Sequence, residues 1–258
     1  MSTTLRAEWT KARTMTSTGW LLLGTVVLTV TVSALAAGAV SCPSGHCGDD
    51  PAKISLTGIY LGQALIAIMA VLAVSGEYST GMIRVTLTAM PGRITVLAAK
   101  AAVTAVLALA VGTVAVGICL LAGRLILPGN GISPAHGYPP ISVSDGAVLR
   151  AGFGSILYLA LIALLSLGVG TAVRDSAVAI GIVLGLLYLF PIISAAAGPS
   201  DMERHLQQIG PMTAGLAIQS VTGLHALPIG PWAGLGVLAI WAAAALLTGG
   251  LLLRFRDA

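Results

Sequence analysis

Apolar residues run along this chain in long unbroken blocks, not at the alternating or three-and-four spacings of half-buried strands and surface helices. Six blocks stand out, roughly Trp20 to Val40, Leu56 to Ser75, Leu97 to Ala122, Ala147 to Val173, Ala177 to Ala197 and Trp232 to Leu253. A hydrocarbon core of about 30 Å needs roughly 20 apolar residues at a helical rise of about 1.5 Å, and each block meets that length. Only Arg174, Asp175 and Ser176 separate the fourth block from the fifth. One continuous helix there would set an Arg–Asp pair in hydrocarbon, so the pattern predicts a tight turn between two spans. Arg6, Lys11 and Arg13 precede the first block, and Ala39-Val40-Ser41-Cys42 loosely matches a lipoprotein cleavage site. That block is nevertheless longer than the 7–15 apolar residues of a signal peptide, so it reads as the first span. The expectation is an all-α membrane protein, with residues 1–19 on the membrane surface and a six-helix transmembrane domain over 20–258.

Composition sharpens this. Apolar residues make up 57% of the chain and charged residues 9%, at a mean hydropathy of +0.97. Soluble domains carry about 25% charged residues. Soluble enzymes, disordered tails and disulfide-stapled secreted domains are thereby excluded. The 32 glycines suit packed spans, where small residues let backbones approach. With the N-terminus inside, nine of the Lys and Arg residues fall on the inner side (Arg6, Lys11, Arg13, Arg84, Arg93, Lys100, Arg174, Arg254, Arg256) and four outside (Lys53, Arg124, Arg150, Arg204). The bias predicts a multi-pass protein of the cell membrane with both termini cytoplasmic. The formal net charge of +4 therefore follows from topology and calls for no nucleic-acid partner.

The polar segments hold the candidate chemistry. In residues 3–19, Leu5, Trp9, Ala12 and Thr16 share a helical face opposite Arg6, Thr10 and Arg13; this fits an interfacial helix on anionic lipid, against a frayed basic terminus. Cys42 and Cys47 flank a Pro/Gly-rich outer turn with His46, open to three readings: a small disulfide loop, free thiols, or a metal site lacking its fourth ligand. Disulfide chemistry suits the oxidising side best, and no metal site is expected. Cys119, within the third span, reads as packing, and the four histidines as solvated loop residues. After the second span, Met82, Ile83, Leu87 and Met90 form an apolar stripe that Pro91-Gly92 terminates, with Glu77 at the start and Arg84 on the body. Its two readings are a solvated connector and a docking surface for a cytoplasmic partner. Residues 198–231 carry Pro199, Pro211, Pro228 and Pro231; Met212 to Val221 reads either as a short helix dipping into the outer leaflet or as surface loop.

Absences narrow the function. No Asp, Glu, His, Lys or Arg sits at the middle of any span, and Lys100 and Arg150 lie near ends from which they can snorkel. Ion-coupled carriers, proton pumps and intramembrane proteases need such groups. The three lysines are followed by Ala12, Ile54 and Ala101, so no P-loop exists. The chain is not itself expected to be an enzyme, and any ATP must be hydrolysed by another polypeptide.

Four motifs in order carry a resemblance: Ala7-Glu8-Trp9-Thr10-Lys11-Ala12-Arg13-Thr14; Gly76-Glu77-Tyr78-Ser79-Thr80-Gly81-Met82-Ile83-Arg84-Val85-Thr86-Leu87 with Pro91-Gly92-Arg93 and Ala99-Lys100; Arg174-Asp175-Ser176-Ala177; and Pro211-Met212-Thr213-Ala214-Gly215. Over essentially its whole length the chain resembles actinobacterial permeases of the ABC-2 type exporter family, though Met82 stands where many relatives have Thr. The resemblance implies a type V (ABCG-like) fold and a half-transporter that pairs with itself or with a related six-span chain, above a cytoplasmic ATPase dimer. ATP and magnesium would be bound by that ATPase and no cofactor by this chain. Leu5, Trp9 and Arg13 would belong to an elbow helix. Glu77, Tyr78, Gly81, Ile83, Arg84, Leu87 and Pro91 would belong to the coupling helix, with Arg174 and Asp175 as a second contact. The translocation path would follow the second and fifth spans, which offer Gln63, Tyr188, Phe190 and Ser194; Gln63 and Ser194 equally suit interhelical hydrogen bonds. A hydrophobic or amphipathic cargo such as a drug, antibiotic or lipid-like molecule fits that lining, and export rather than import rests on the resemblance. A channel or carrier, or a non-transporting sensor or scaffold, is the alternative.

Overall fold

The computed structural model describes residues 2–42, 50–79, 92–132, 141, 145–197 and 201–255, and these are helical with no strand among them. An N-terminal helix α1 (Ser2–Thr14) is followed by α2 (Thr16–Ala39), the short α3 (Pro51–Ser55), α4 (Ile59–Ser79), α5 (Arg93–Ile126), α6 (Gly146–Val173) and α7 (Ser176–Ala197). Two short helices, α8 (Asp201–Ile209) and α9 (Pro211–Leu216), precede α10 (Pro231–Phe255). Helices α2, α4, α5, α6, α7 and α10 are long and apolar enough to cross a membrane. The chain is a multi-pass membrane protein.

The helices outrun the apolar blocks that predicted them. Helix α2 starts at Thr16, ahead of the apolar block that begins at Trp20, because the chain breaks at Met15, in an extended conformation (φ −76°, ψ 108°). Helix α5 runs 34 residues, about 51 Å at 1.5 Å per residue and well beyond the hydrocarbon thickness. Between α6 and α7, Arg174 takes the left-handed conformation (φ 67°) and Asp175 Oδ1 accepts the Val178 amide at 2.9 Å, so one helix is stopped and the next capped within two residues.

The spans run up and down, which places both termini, the end of α4, the start of α5 and the α6–α7 turn at one end of the bundle, here the terminal end. The other, far end carries α3, α8 and α9. Helix α6 forms the centre against α4, α5, α7 and α10. In the most apolar stretch of α6 61% of residues are buried, and in α4 56%, against 17–28% in the other spans. Glycines make the packing close: a Cβ on Gly168 would lie 2.5 Å from the Ala245 carbonyl carbon of α10, and one on Gly58 1.9 Å from the Thr29 oxygen of α2. The buried face of α2 is Thr25, Thr29, Ser33 and Ala37, while Leu23, Val27 and Leu35 face outward. Leucine gains nothing by leaving lipid, so small polar residues take the interior.

Candidate functional site

The polar groups of the bundle gather at three levels. At the terminal end, four charges on three helices form a buried cluster. Lys100 lies two turns into α5 and is 4% exposed; its Nζ donates to Glu8 Oε2 of α1 at 2.8 Å, to Glu77 Oε1 of α4 at 2.6 Å and to the Ala73 carbonyl at 3.4 Å. Lys11 donates to the same Glu77 oxygen and lies 3.7 Å from Glu8. Lys100 was expected to snorkel toward water; it turns inward instead, because two carboxylates meet it there. Glu77 was expected at the start of a helix after the second span. It occupies the last turn of α4, where the helix dipole opposes a carboxylate, and the two ammoniums offset that field. Burial works against the Lys11 ammonium, but its hydrogen bond to Glu77 and the fields of Glu77 and Glu8 outweigh it and hold its pKa above the usual lysine value.

The cluster decides how α1 docks. Its inward face is Thr4, Glu8 and Lys11; Leu5 is half-buried, Trp9 is 39% exposed and Arg13 faces outward. Polar pairing, not an apolar stripe, holds this helix to the bundle. Beside the cluster the Arg174 guanidinium carbon lies 5.3 Å from the centre of the Tyr78 ring, which joins the α6–α7 turn to the end of α4, and the Ser176 hydroxyl meets that of Ser75 at 2.8 Å. Of the residues expected to form a docking helix, Glu77 and Tyr78 lie in the last turn of α4; Gly81, Ile83, Arg84, Leu87 and Pro91 lie outside the described residues.

Midway toward the far end, Gln63 is fully buried. Its Nε2 donates to the Tyr60 carbonyl and the Met212 sulfur, both at 3.1 Å, and its Oε1 accepts the Tyr158 hydroxyl. The Tyr188 hydroxyl donates to the same Tyr60 carbonyl. Gln63 and Tyr188 are thus engaged in joining α4, α6, α7 and α9. Phe190 lines an apolar groove of about 590 Å³ between α7 and α10, and Ser194 a separate cavity of about 300 Å³ at the far end. The four side chains expected along a path do not share one pocket.

The far end is closed by a hydrogen-bonded cap. Asp50 caps α3 through Oδ1 (Ala52 N, 3.1 Å) and through Oδ2 accepts the Thr222 amide at 2.8 Å and its hydroxyl at 3.2 Å. Arg150 donates to the Ser220 carbonyl at 2.6 Å, and Trp241 to the Ile209 carbonyl at 3.0 Å. Helix α9 and residues 217–220 are buried in the bundle and do not form a surface loop, with Ile218 filling the space that Gly154 leaves. Cys42 is buried and disulfide-bonded, and Cys47 lies outside the described residues. Cys119 is free and packed in the interior. Among the described residues no three His, Cys, Asp or Glu side chains gather as metal ligands.

Neither family models nor curated proteins match this chain. Its reading rests on the sequence and the geometry above. Glu8, Lys11 and Lys100 were visible as charges but not as one cluster; the available signal was a lysine two turns inside a span with acids near the ends of its neighbours. Asp50 and Tyr158 gave no comparable signal.

Proposed function

We propose that this chain is the membrane subunit of an ATP-driven exporter of the ABC-2 type. The observation that carries the reading is the buried cluster of Glu8, Lys11, Glu77 and Lys100. It ties the end of α4, the start of α5 and helix α1 into one unit at the base of the segment of about residues 77–91 that resembles the family's coupling helix. A force applied to that segment is delivered to both spans together, as a rigid transmission element requires. On this reading the terminal end is cytoplasmic and α1 is the elbow helix. The Arg174–Asp175 turn, braced on Tyr78, is a second contact, and α8 with α9 forms the outer gate. The chain binds no nucleotide; a separate ATPase dimer binds ATP and magnesium, and a second six-span half completes a path for a hydrophobic or amphipathic cargo.

The test is purification of the tagged chain from its native membranes in mild detergent. Co-purification of a near-stoichiometric P-loop ATPase supports the proposal, and the presence or absence of a second six-span protein separates heterodimer from homodimer. A chain that emerges alone even after gentle cross-linking refutes it and favours a channel or scaffold. Arg84→Ala is the uncoupling variant of choice: hydrolysis should persist while export stops. Glu77→Ala is a poorer probe, because Glu77 also holds the buried cluster together.

A further inference from the structure

A groove of about 430 Å³ runs between α5 and α6 in the far half of the bundle. Its walls come from Thr113 to Arg124 of α5 and from Val148 to Ile156 of α6, with Ile141 beside them. Leu121, Leu149 and Phe153 along it are at least half exposed, so the groove opens on the lipid-facing surface. Gly117 adds no side chain to it, and a Cβ there would meet nothing within 4 Å. Below its rim the lining offers no polar group: the Thr113 hydroxyl donates to the Leu109 carbonyl of its own helix at 2.7 Å. At the rim stands Arg124, exposed, in the last turn of α5. The ion pairs among the described residues all belong to the terminal-end cluster, so no carboxylate among them pairs with Arg124. Asp145, at the same end, caps α6 by accepting the Ala147 amide at 2.9 Å. Depth follows from helical rise. Lys100 and Arg124 lie 24 residues apart on α5, about 36 Å, slightly more than a hydrocarbon core of about 30 Å, which puts Arg124 at headgroup level. Thr113 lies 11 residues deeper, about 16 Å, near the bilayer middle. The groove thus descends from one cation through the thickness of one leaflet.

We infer that this groove binds an anionic phospholipid of the surrounding membrane, with one acyl chain lying along α5 and α6 and the phosphate at Arg124. A guanidinium pairs with phosphate through two parallel hydrogen bonds. A headgroup of net charge minus one balances Arg124, whereas a zwitterionic headgroup brings an ammonium for which the groove lining holds no carboxylate. A second copy of this chain, docked about a two-fold axis through the groove, would instead set Arg124 against Arg124. The inference rests on the membrane placement of the six spans and is independent of ATP-driven transport.

Native mass spectrometry of the full-length protein in detergent would compare retention of phosphatidylglycerol and phosphatidylethanolamine of the same acyl composition, with thermal stabilisation by each lipid as a second readout. The parent should prefer phosphatidylglycerol. Arg124→Gln should lower retention of that lipid about fivefold, the worth of one basic residue near an anionic surface, and leave phosphatidylethanolamine unchanged. Gly117→Phe, which fills open space and leaves the fold intact, should lower retention of both lipids. Gly185→Phe, which fills the groove between α7 and α10 instead, should leave the preference of the parent in place. Unfolding in lipid-free detergent should be the same for all three variants. A parent without preference, phosphatidylglycerol retention undiminished in Arg124→Gln, or an equal fall of both lipids in that variant would overturn the inference. So would a Gly117→Phe variant that keeps its lipid but passes from dimer to monomer, since the groove would then belong to a second copy of the chain.

Discussion

Lys100→Met tests whether the buried cluster, and not apolar packing, holds α1 to the bundle. The substitution keeps the stem of the side chain and removes the buried ammonium that bonds both Glu8 Oε2 (2.8 Å) and Glu77 Oε1 (2.6 Å). Those carboxylates are 7% and 4% exposed and would be left with Lys11 alone, a buried net charge of one. Stranding a buried charge in this way costs about 3–5 kcal/mol. Lys11→Met also leaves one charge uncompensated, but Lys11 is 29% exposed and water reaches its place, so its loss costs roughly 1 kcal/mol or less. A third variant separates charge from shape. Glu77→Gln with Lys100→Met leaves Glu8 and Lys11 balanced and should restore most of the loss, since a buried pair roughly breaks even against neutral isosteres. Amide hydrogen exchange over Ser2–Thr14 is the assay, because α1 undocks before the spans separate. The single Lys100 variant should exchange at least about a hundredfold faster there, at 1.4 kcal/mol per factor of ten. Equal small effects from Lys100→Met and Lys11→Met, or a double variant no better protected than the single, would refute the reasoning.

The raised pKa of Lys11 sets a sign for pH. Because its folded value lies above the unfolded one, its contribution to α1 docking is whole at neutral pH and disappears only as pH rises through the folded value, above the ordinary lysine range; protection of α1 that fell between pH 6 and 8 would contradict this. Gly168→Val should destabilise by about 1–3 kcal/mol or more, since its Cβ meets the α10 backbone at 2.5 Å, whereas Gly185→Ala, with nothing within 4 Å, should leave thermal unfolding in detergent unchanged. Gln63→Leu should cost about 1–3 kcal/mol by leaving the buried Tyr158 hydroxyl without its acceptor, and adding Tyr158→Phe should relieve part of it in the same assay.

The six spans were legible because a transmembrane helix declares itself by length and hydropathy without reference to its neighbours. The helix faces were not. On α2 the interior is Thr25, Thr29 and Ser33, and hydropathy ranks these as the residues to leave outside; in lipid that ranking carries no direction. Lys100 showed the same limit. Its position near a span end was plain, but whether such a lysine reaches out or in depends on Glu8 and Glu77, residues 92 and 23 positions away, and only helix packing brings them together. Ser194 and Gln63 stand out as polar residues on the two spans that the resemblance assigns to the path, and polarity does not tell a cavity wall from an interhelical bond.

The two polar assemblies differ in when a growing chain can complete them. Synthesis proceeds from the N-terminus, so Glu8, Lys11 and Glu77 have all been made before Lys100 leaves the ribosome, and that lysine never waits in the membrane for its counter-charges. Asp50 is in the opposite position. Its partners Val221 and Thr222 follow it by 171 and 172 residues, after the fifth span. The ion cluster can thus form once three spans are inserted, whereas the far-end cap stays open until nearly the whole chain has been translated. A translation arrest within α7 should trap a particle with a finished ion cluster and an unfinished cap.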